Sequence, residues 1–175
     1  HGAFHPAGLA WYQAVARLAE RGKFHSLYLP DNLHVPASLA SSPAGLAADP
    51  ITLLGALAAS TERIGLIAAI APALSQPYNV ARRLATLDHV SRGRAGWLPR
   101  TASEADLRNF DRQSAPTDGL APEYEQVVRA LWDSWSDNAR QVDKSRGTYV
   151  DTSRVRAIDH VGRHYSVTGP LDIPR

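Results

Sequence analysis

The chain has 175 residues, 44% hydrophobic and 21% charged, an ordinary globular balance with enough length for one domain and its core. A formal net charge of +2, carried by scattered Lys and Arg, argues against nucleic acid, and no apolar run of about 18 residues offers a membrane span. The absence of Cys excludes disulfides, thiolate catalysis and Cys-based metal sites, and it fits a reducing cytoplasm.

The chain starts at His1 without Met or a signal-peptide pattern and stops in the loop-like "GPLDIPR", which reads as a piece of a longer protein. Residues 7–21 predict a helix, with Tyr12, Val15, Ala16 and Ala19 on one face and Gly22 as its stop. "FHSLYLP", 24–30, predicts a short strand that runs into a turn at Asp31-Asn32, and the Ala, Ser, Pro and Gly rich stretch 36–48 predicts a surface loop. Residues 49–61 predict a second helix capped by Asp49, with Pro50 in its first turn. "RIGLIAAIA", 63–71, is apolar throughout, the pattern of a strand buried on both faces of a parallel sheet.

A third helix is expected over 77–93, from Pro77 to Gly93, and "RAGWL", 94–98, is another short strand. Residues 123–137 predict a strongly amphipathic helix that carries Val127, Val128, Leu131, Trp132 and Trp135. Residues 138–175 lack periodicity and read as a long irregular connection with a hairpin-like piece near "RHYSV". Strands alternating with helices imply βαβ units and a parallel sheet. A closed eight-stranded barrel takes roughly 250 residues, so 1–175 fits either a small open α/β layer or part of a barrel.

Five blocks carry a family resemblance: "LAERGKFHSLYLPDNL", "ASTERIGLIAAI", "QPYNVARRLATLDHVSRGRAGW", "VVRALWDSWSD" and "IDHVGRHYSVTGPLDIPR". Together, and in this order, they resemble the bacterial-luciferase-like flavin-dependent monooxygenases, in the branch of nitrilotriacetate monooxygenase component A and dibenzothiophene sulfone monooxygenase. The resemblance implies a single domain over 1–175 that is an incomplete (β/α)8 TIM barrel, holding about strands two to four with their helices. It implies reduced FMN supplied by a separate flavin reductase, O2 as oxidant and a small organic substrate. It also implies a homo-oligomer or the missing remainder of the barrel as the partner that covers open edges.

The site residues follow from the same comparison. Asp31 matches a flavin-contacting Asp, where the residue alone would read as a turn former with Asn32. His5, in the loop that resembles an active-site segment, is the candidate general acid/base on the substrate side, with a structural role as the alternative. Three positions depart from the family pattern. Ala71-Pro72 stands where relatives place Ser or Thr, and Leu98-Pro99-Arg100 where they read Asn-Val-Val-Thr-Ser. Thr117 and Asp118 stand in place of an Arg-Tyr pair whose Tyr helps hold the flavin phosphate. Arg100 reads as a solvated loop charge, with phosphate or acidic substrate as the alternative. These departures keep a second hypothesis open, a non-catalytic scaffold or partner subunit that has lost flavin binding.

The remaining motifs carry less chemistry. His160 and His164 have a metal-binding spacing for a helix, but Gly162 between them and the extended "HYSV" argue against a site. His89 reads as scaffold at a helix end; Trp97, Trp132 and Trp135 offer a flavin wall, but Trp132 and Trp135, on the amphipathic helix, read as packing residues. No glycine-rich phosphate loop is present.

Overall fold

The computed structural model describes residues 8–35, 48–114 and 119–175. Helix α1 (Leu9–Arg21) stops where Gly22 donates its N–H to the Leu18 carbonyl at 2.9 Å. The chain then enters β1 (Ser26–Leu29). Asp49 opens α2 (Pro50–Ala58) as its place before Pro50 predicts, its carboxylate accepting the Thr52 N–H at 2.7 Å. β2 (Gly65–Ile70) follows, then α3 (Pro77–Ser91). Arg92 and Gly93 both take left-handed backbone after α3, and the Gly93 N–H closes the helix end on the Asp88 carbonyl. β3 (Ala95–Pro99) completes a parallel sheet of order β1-β2-β3.

Register decides which side chains meet the helices. Tyr28 pairs with Ile67, Ala68 with Trp97, and Ala69 with Leu98. Side chains alternate across a sheet, so Leu27, Leu29, Leu66, Ala68, Ile70 and Trp97 share the face that packs on α2, α3 and the later helix α5. The opposite face carries Tyr28, 48% exposed, Ile67, and Leu98, 50% exposed. Helices therefore cover β2 on one side, whereas its all-apolar sequence predicts cover on both. In a barrel the inner face is covered by strands from across the lumen, and these three strands supply only one arc of that wall.

Two elements differ from the sequence expectation after β3. A short helix α4 (Glu104–Arg108) was not expected; a reciprocal capping box between Ser103 and Asp106 starts it. The amphipathic helix α5 runs Leu120–Trp132 and ends five residues earlier than its pattern predicts, at the Asp133 cap. There the Ser134 hydroxyl and N–H both turn back on the Leu131 carbonyl. Trp135 is consequently not a helix residue. It bridges Val155, and its indole N–H donates to the Leu171 carbonyl at 2.7 Å.

Tyr124, Val127, Val128 and Leu131 of α5 are fully buried. Trp97 packs between Tyr124 (ring centroids 5.8 Å apart, tilted) and Trp132 (6.4 Å, edge-on), so the indoles of β3 and α5 serve packing, as expected of Trp132. Beyond α5 the chain forms two antiparallel hairpins, β4 (Arg140–Asp143) with β5 (Thr148–Val150) and β6 (His160–Val161) with β7 (Ser166–Val167). The second is the hairpin expected near "RHYSV". His89 at the end of α3 donates to the Pro174 carbonyl at 2.7 Å, a scaffold contact. No helix among the described residues is long and apolar enough to cross a membrane.

The N-terminal end of the sheet is tied by two charges. Arg94, just before β3, donates to Ser91 O, Thr61 Oγ1, Ile64 O, Ala58 O and Thr61 O, so each of its guanidinium N–H groups has an acceptor. It thereby clasps the end of α2, the start of β2 and the end of α3. The Glu20 carboxylate of α1 accepts the N–H groups of Glu62, Arg63 and Ile64. Those hydrogen bonds, led by Arg63, hold its carboxyl below the ordinary range.

Candidate active site

The C-terminal ends of the strands bring Asp31, Ala71-Pro72 and Arg100 to one end of the sheet. Asp31 follows β1 after Pro30 and is partly buried. Burial pushes its carboxyl above the ordinary value, against the pull of Arg100. Ala71 is completely buried and Pro72 begins a short 3₁₀ turn. Neither side chain offers a hydrogen-bond donor, and Pro72 has no N–H. Leu98 lies half-exposed on the inner sheet face, and the Arg100 N–H extends the ladder by donating to Ile70 O at 3.0 Å.

The hub of this end is Asp106, a carboxylate with 2% side-chain exposure. The capping box that starts α4 aims it inward. Its Oδ1 accepts His34 Nδ1–H at 2.8 Å, and its Oδ2 accepts the Arg100 guanidinium (2.9 Å) and the Ser103 N–H (2.9 Å). Burial opposes its ionisation, but the hydrogen bonds from His34, Arg100 and Ser103 outweigh it and hold the carboxyl well below the usual range. A further tether, Asn109 Nδ2–H to Leu33 O at 2.6 Å, fastens the loop after β1 to the end of α4.

Arg100 corrects the solvated-charge reading. Its side chain is only 20% exposed, and it is ion-paired with Asp106. Its Nη1 also donates to Thr101 O, yet Nε and Nη2 are buried with no hydrogen-bond partner among the described residues. A desolvated cationic edge left without acceptors is costly, which marks it as a place where an acceptor belongs.

A second group borders this end. Glu123 of α5 accepts the N–H groups of His164 and Tyr165 and faces His160 Nε2 at 3.3 Å. A Cβ on Gly162 would run into that carboxylate and the His160 ring, which explains a glycine in the hairpin turn. His160 thus holds the β6–β7 hairpin to α5. Beside it a cavity of about 330 Å³ is lined by Pro72, Gln76, Phe110, Arg112, His164 and Tyr165.

The structure brings Asp31 to the strand ends as expected. His5, Thr117 and Asp118 lie outside the described residues. His34, Asp106 and Arg112 were not singled out from the sequence. The Ser103-x-x-Asp106 spacing was the available signal for α4, but nothing local links His34 to a carboxylate 72 positions away.

A profile of the luciferase-like monooxygenase family matches residues 4–175. N-acetyl-S-(2-succino)cysteine monooxygenase of Bacillus subtilis is 38% identical over 173 residues, covering 95% of this chain and 39% of its own length. Nitrilotriacetate monooxygenase component A of Aminobacter aminovorans is 37% identical over 184 residues, covering 95% and 40%. The crystal structure of a riboflavin lyase with modified FMN and riboflavin superimposes with a TM-score of 0.87 at 28% identity, covering 96% of this chain and 40% of its own. The chain thus spans about two fifths of the length of the curated relatives it matches.

Proposed function

The chain belongs to the luciferase-like monooxygenase family, its α/β fold being part of a TIM barrel, and from that premise we propose that it supplies one arc of the active site of a reduced-FMN monooxygenase. In this reading the whole protein inserts one oxygen atom of O2 into a small organic substrate and receives its reduced flavin from a separate reductase in the cytoplasm. The name of the nitrilotriacetate relative, a component A, supports the two-component arrangement.

The observation that carries the reading is that Asp31, whose carboxyl feels the Arg100 charge, and the unbonded edge of Arg100 lie at the same strand ends. An isoalloxazine ring presents N–H, ring nitrogens and carbonyl oxygens along one edge. A carboxylate acceptor and two orphaned guanidinium donors fit that edge chemically. The apolar inner face, with Ile67, Ala69 and Leu98, fits the flat body of the ring. FMN, when bound in its reduced form, supplies the two electrons that activate O2.

The chain's own residues do the rest. Asp31 holds the polar edge of the ring, and Arg100 supplies donors in place of the amide that relatives carry at Leu98. His5 lines the substrate side. Apolar strand ends keep water from the reacting atoms. Pro72 gives no hydrogen bond here, so the burden falls on Asp31 and Arg100.

Anaerobic titration of the full-length protein with reduced FMN tests the reading. Saturable binding, weakened about tenfold in Asp31→Ala, is expected. Absence of saturable binding at high micromolar flavin overturns it and leaves the non-catalytic scaffold.

A further inference from the structure

The overall reaction needs a proton. Insertion of one oxygen atom of O2 into R–H by a two-electron-reduced flavin anion yields R–OH, water and oxidised flavin, and the balance takes up one proton. Without substrate, the same electrons leave as hydrogen peroxide, again with uptake of one proton. Resting on the flavin reading above, we propose that His34, anchored at Nδ1 by the buried Asp106 carboxylate, is the catalytic residue that delivers this proton from Nε2.

Three observations support the assignment. His34 lies on the loop after β1, three residues beyond Asp31, at the strand ends where a barrel of this kind builds its site. Its Nδ1 is fixed at 2.8 Å on Asp106, while its side chain remains 35% exposed. Asp106 is locked in turn by Arg100 and the Ser103 N–H. A carboxylate that orients an imidazole through one nitrogen leaves the other for proton transfer.

Arg100 from the end of β3 and Ser103 ahead of α4 keep Asp106 ionised, so Asp106 does not take the proton from His34. Asp31, on the same loop as His34, is a further carboxylate at this end, with Asp49 acting on it and Glu123 at its border. In the step, the imidazolium gives its Nε2 proton to the reduced oxygen that departs as water or peroxide. It becomes neutral imidazole with Nδ1–H still on Asp106, and it regains a proton from solvent. His34 acts on the reacting atoms, and Asp106 and Arg100 are positioning residues.

Two measurements on the full-length protein test this. In the flavin-free protein, long-range proton–nitrogen NMR spectra report which nitrogen of neutral His34 carries hydrogen. Nδ1–H is expected in the wild type and a mixture of tautomers in Asp106→Asn; an Nε2–H wild type overturns the dyad. In the second, reduced FMN is bound anaerobically and mixed with O2 without substrate, and flavin reoxidation is followed between about pH 6 and 9. His34→Gln is expected to slow it roughly a hundredfold and flatten its pH profile. Added imidazole is expected to restore His34→Ala. Wild-type rate and pH profile in His34→Gln overturn the proton role alone. A wild type that binds no FMN overturns the flavin reading, and this role with it.

Discussion

Arg94 precedes β3 and Arg100 follows it, so one short strand carries a cation at each end. Arg94 spends its guanidinium on five acceptors from three elements. Arg100 engages Asp106 and Thr101 through Nη1 and leaves Nε and Nη2 buried and bare. Both are partly buried, and both lie beside the same parallel sheet. The satisfied arginine belongs to the end of the sheet that holds the fold together. The unsatisfied one belongs to the opposite end, where barrels of this type carry their sites, and its bare donors fit the flavin contact proposed above.

The contrast is open to direct attack. Arg94→Met strips five acceptors of their donor and should cost about 3 kcal/mol of stability, read from the denaturant midpoint. Flavin affinity per folded molecule should not change. A loss under about 1 kcal/mol would erase the distinction between the two ends.

A smaller effect is expected in acid. Asp106 has a folded carboxyl depressed below its unfolded value of about 3.9. It therefore contributes stability that is complete above that value and is lost as the pH falls from about 5 toward the depressed folded value. Asp106→Asn should flatten the fall of unfolding free energy over that window, by on the order of 2 kcal/mol in total. An unchanged acid limb in urea titrations would show that the hub carries no net charge linkage.

Smallest in energy is Arg100→Met. Removal of three bare N–H groups on two nitrogens offsets the loss of a cation beside Asp106, so stability should stay within about 1 kcal/mol of the wild type. Reduced-FMN affinity should drop about tenfold, or roughly 1.4 kcal/mol. Comparison of this variant with Arg94→Met in one titration separates a folding arginine from a binding one.

The scaffold was legible where local chemistry and tertiary packing agree. Asp49-Pro50 starts a helix because its cap and its fixed φ act within one turn, and "RIGLIAAIA" is a strand because its apolar run can only be buried. Helix α5 was over-extended because Trp135 continues the periodicity of Leu131, although the Ser134 hydroxyl ends the helix and the Leu171 carbonyl claims the indole. The hub was not legible. Asp106 reads as a cap residue of a one-turn helix, His34 as a loop residue and Arg100 as a surface charge. Only the fold, by placing the ends of β1 and β3 on either side of β2, brings them onto one carboxylate.

The three-way hold on Asp106 has a hereditary consequence. An ancestor that acquired Arg100 without an acid at 106 would have buried a naked cation, and one that lost Arg100 first would have left the buried acid without its guanidinium. Positions 34, 100 and 106 are therefore bound to change in concert. Their joint presence is a short signature by which sister sequences that share this hub can be told from those that lack it.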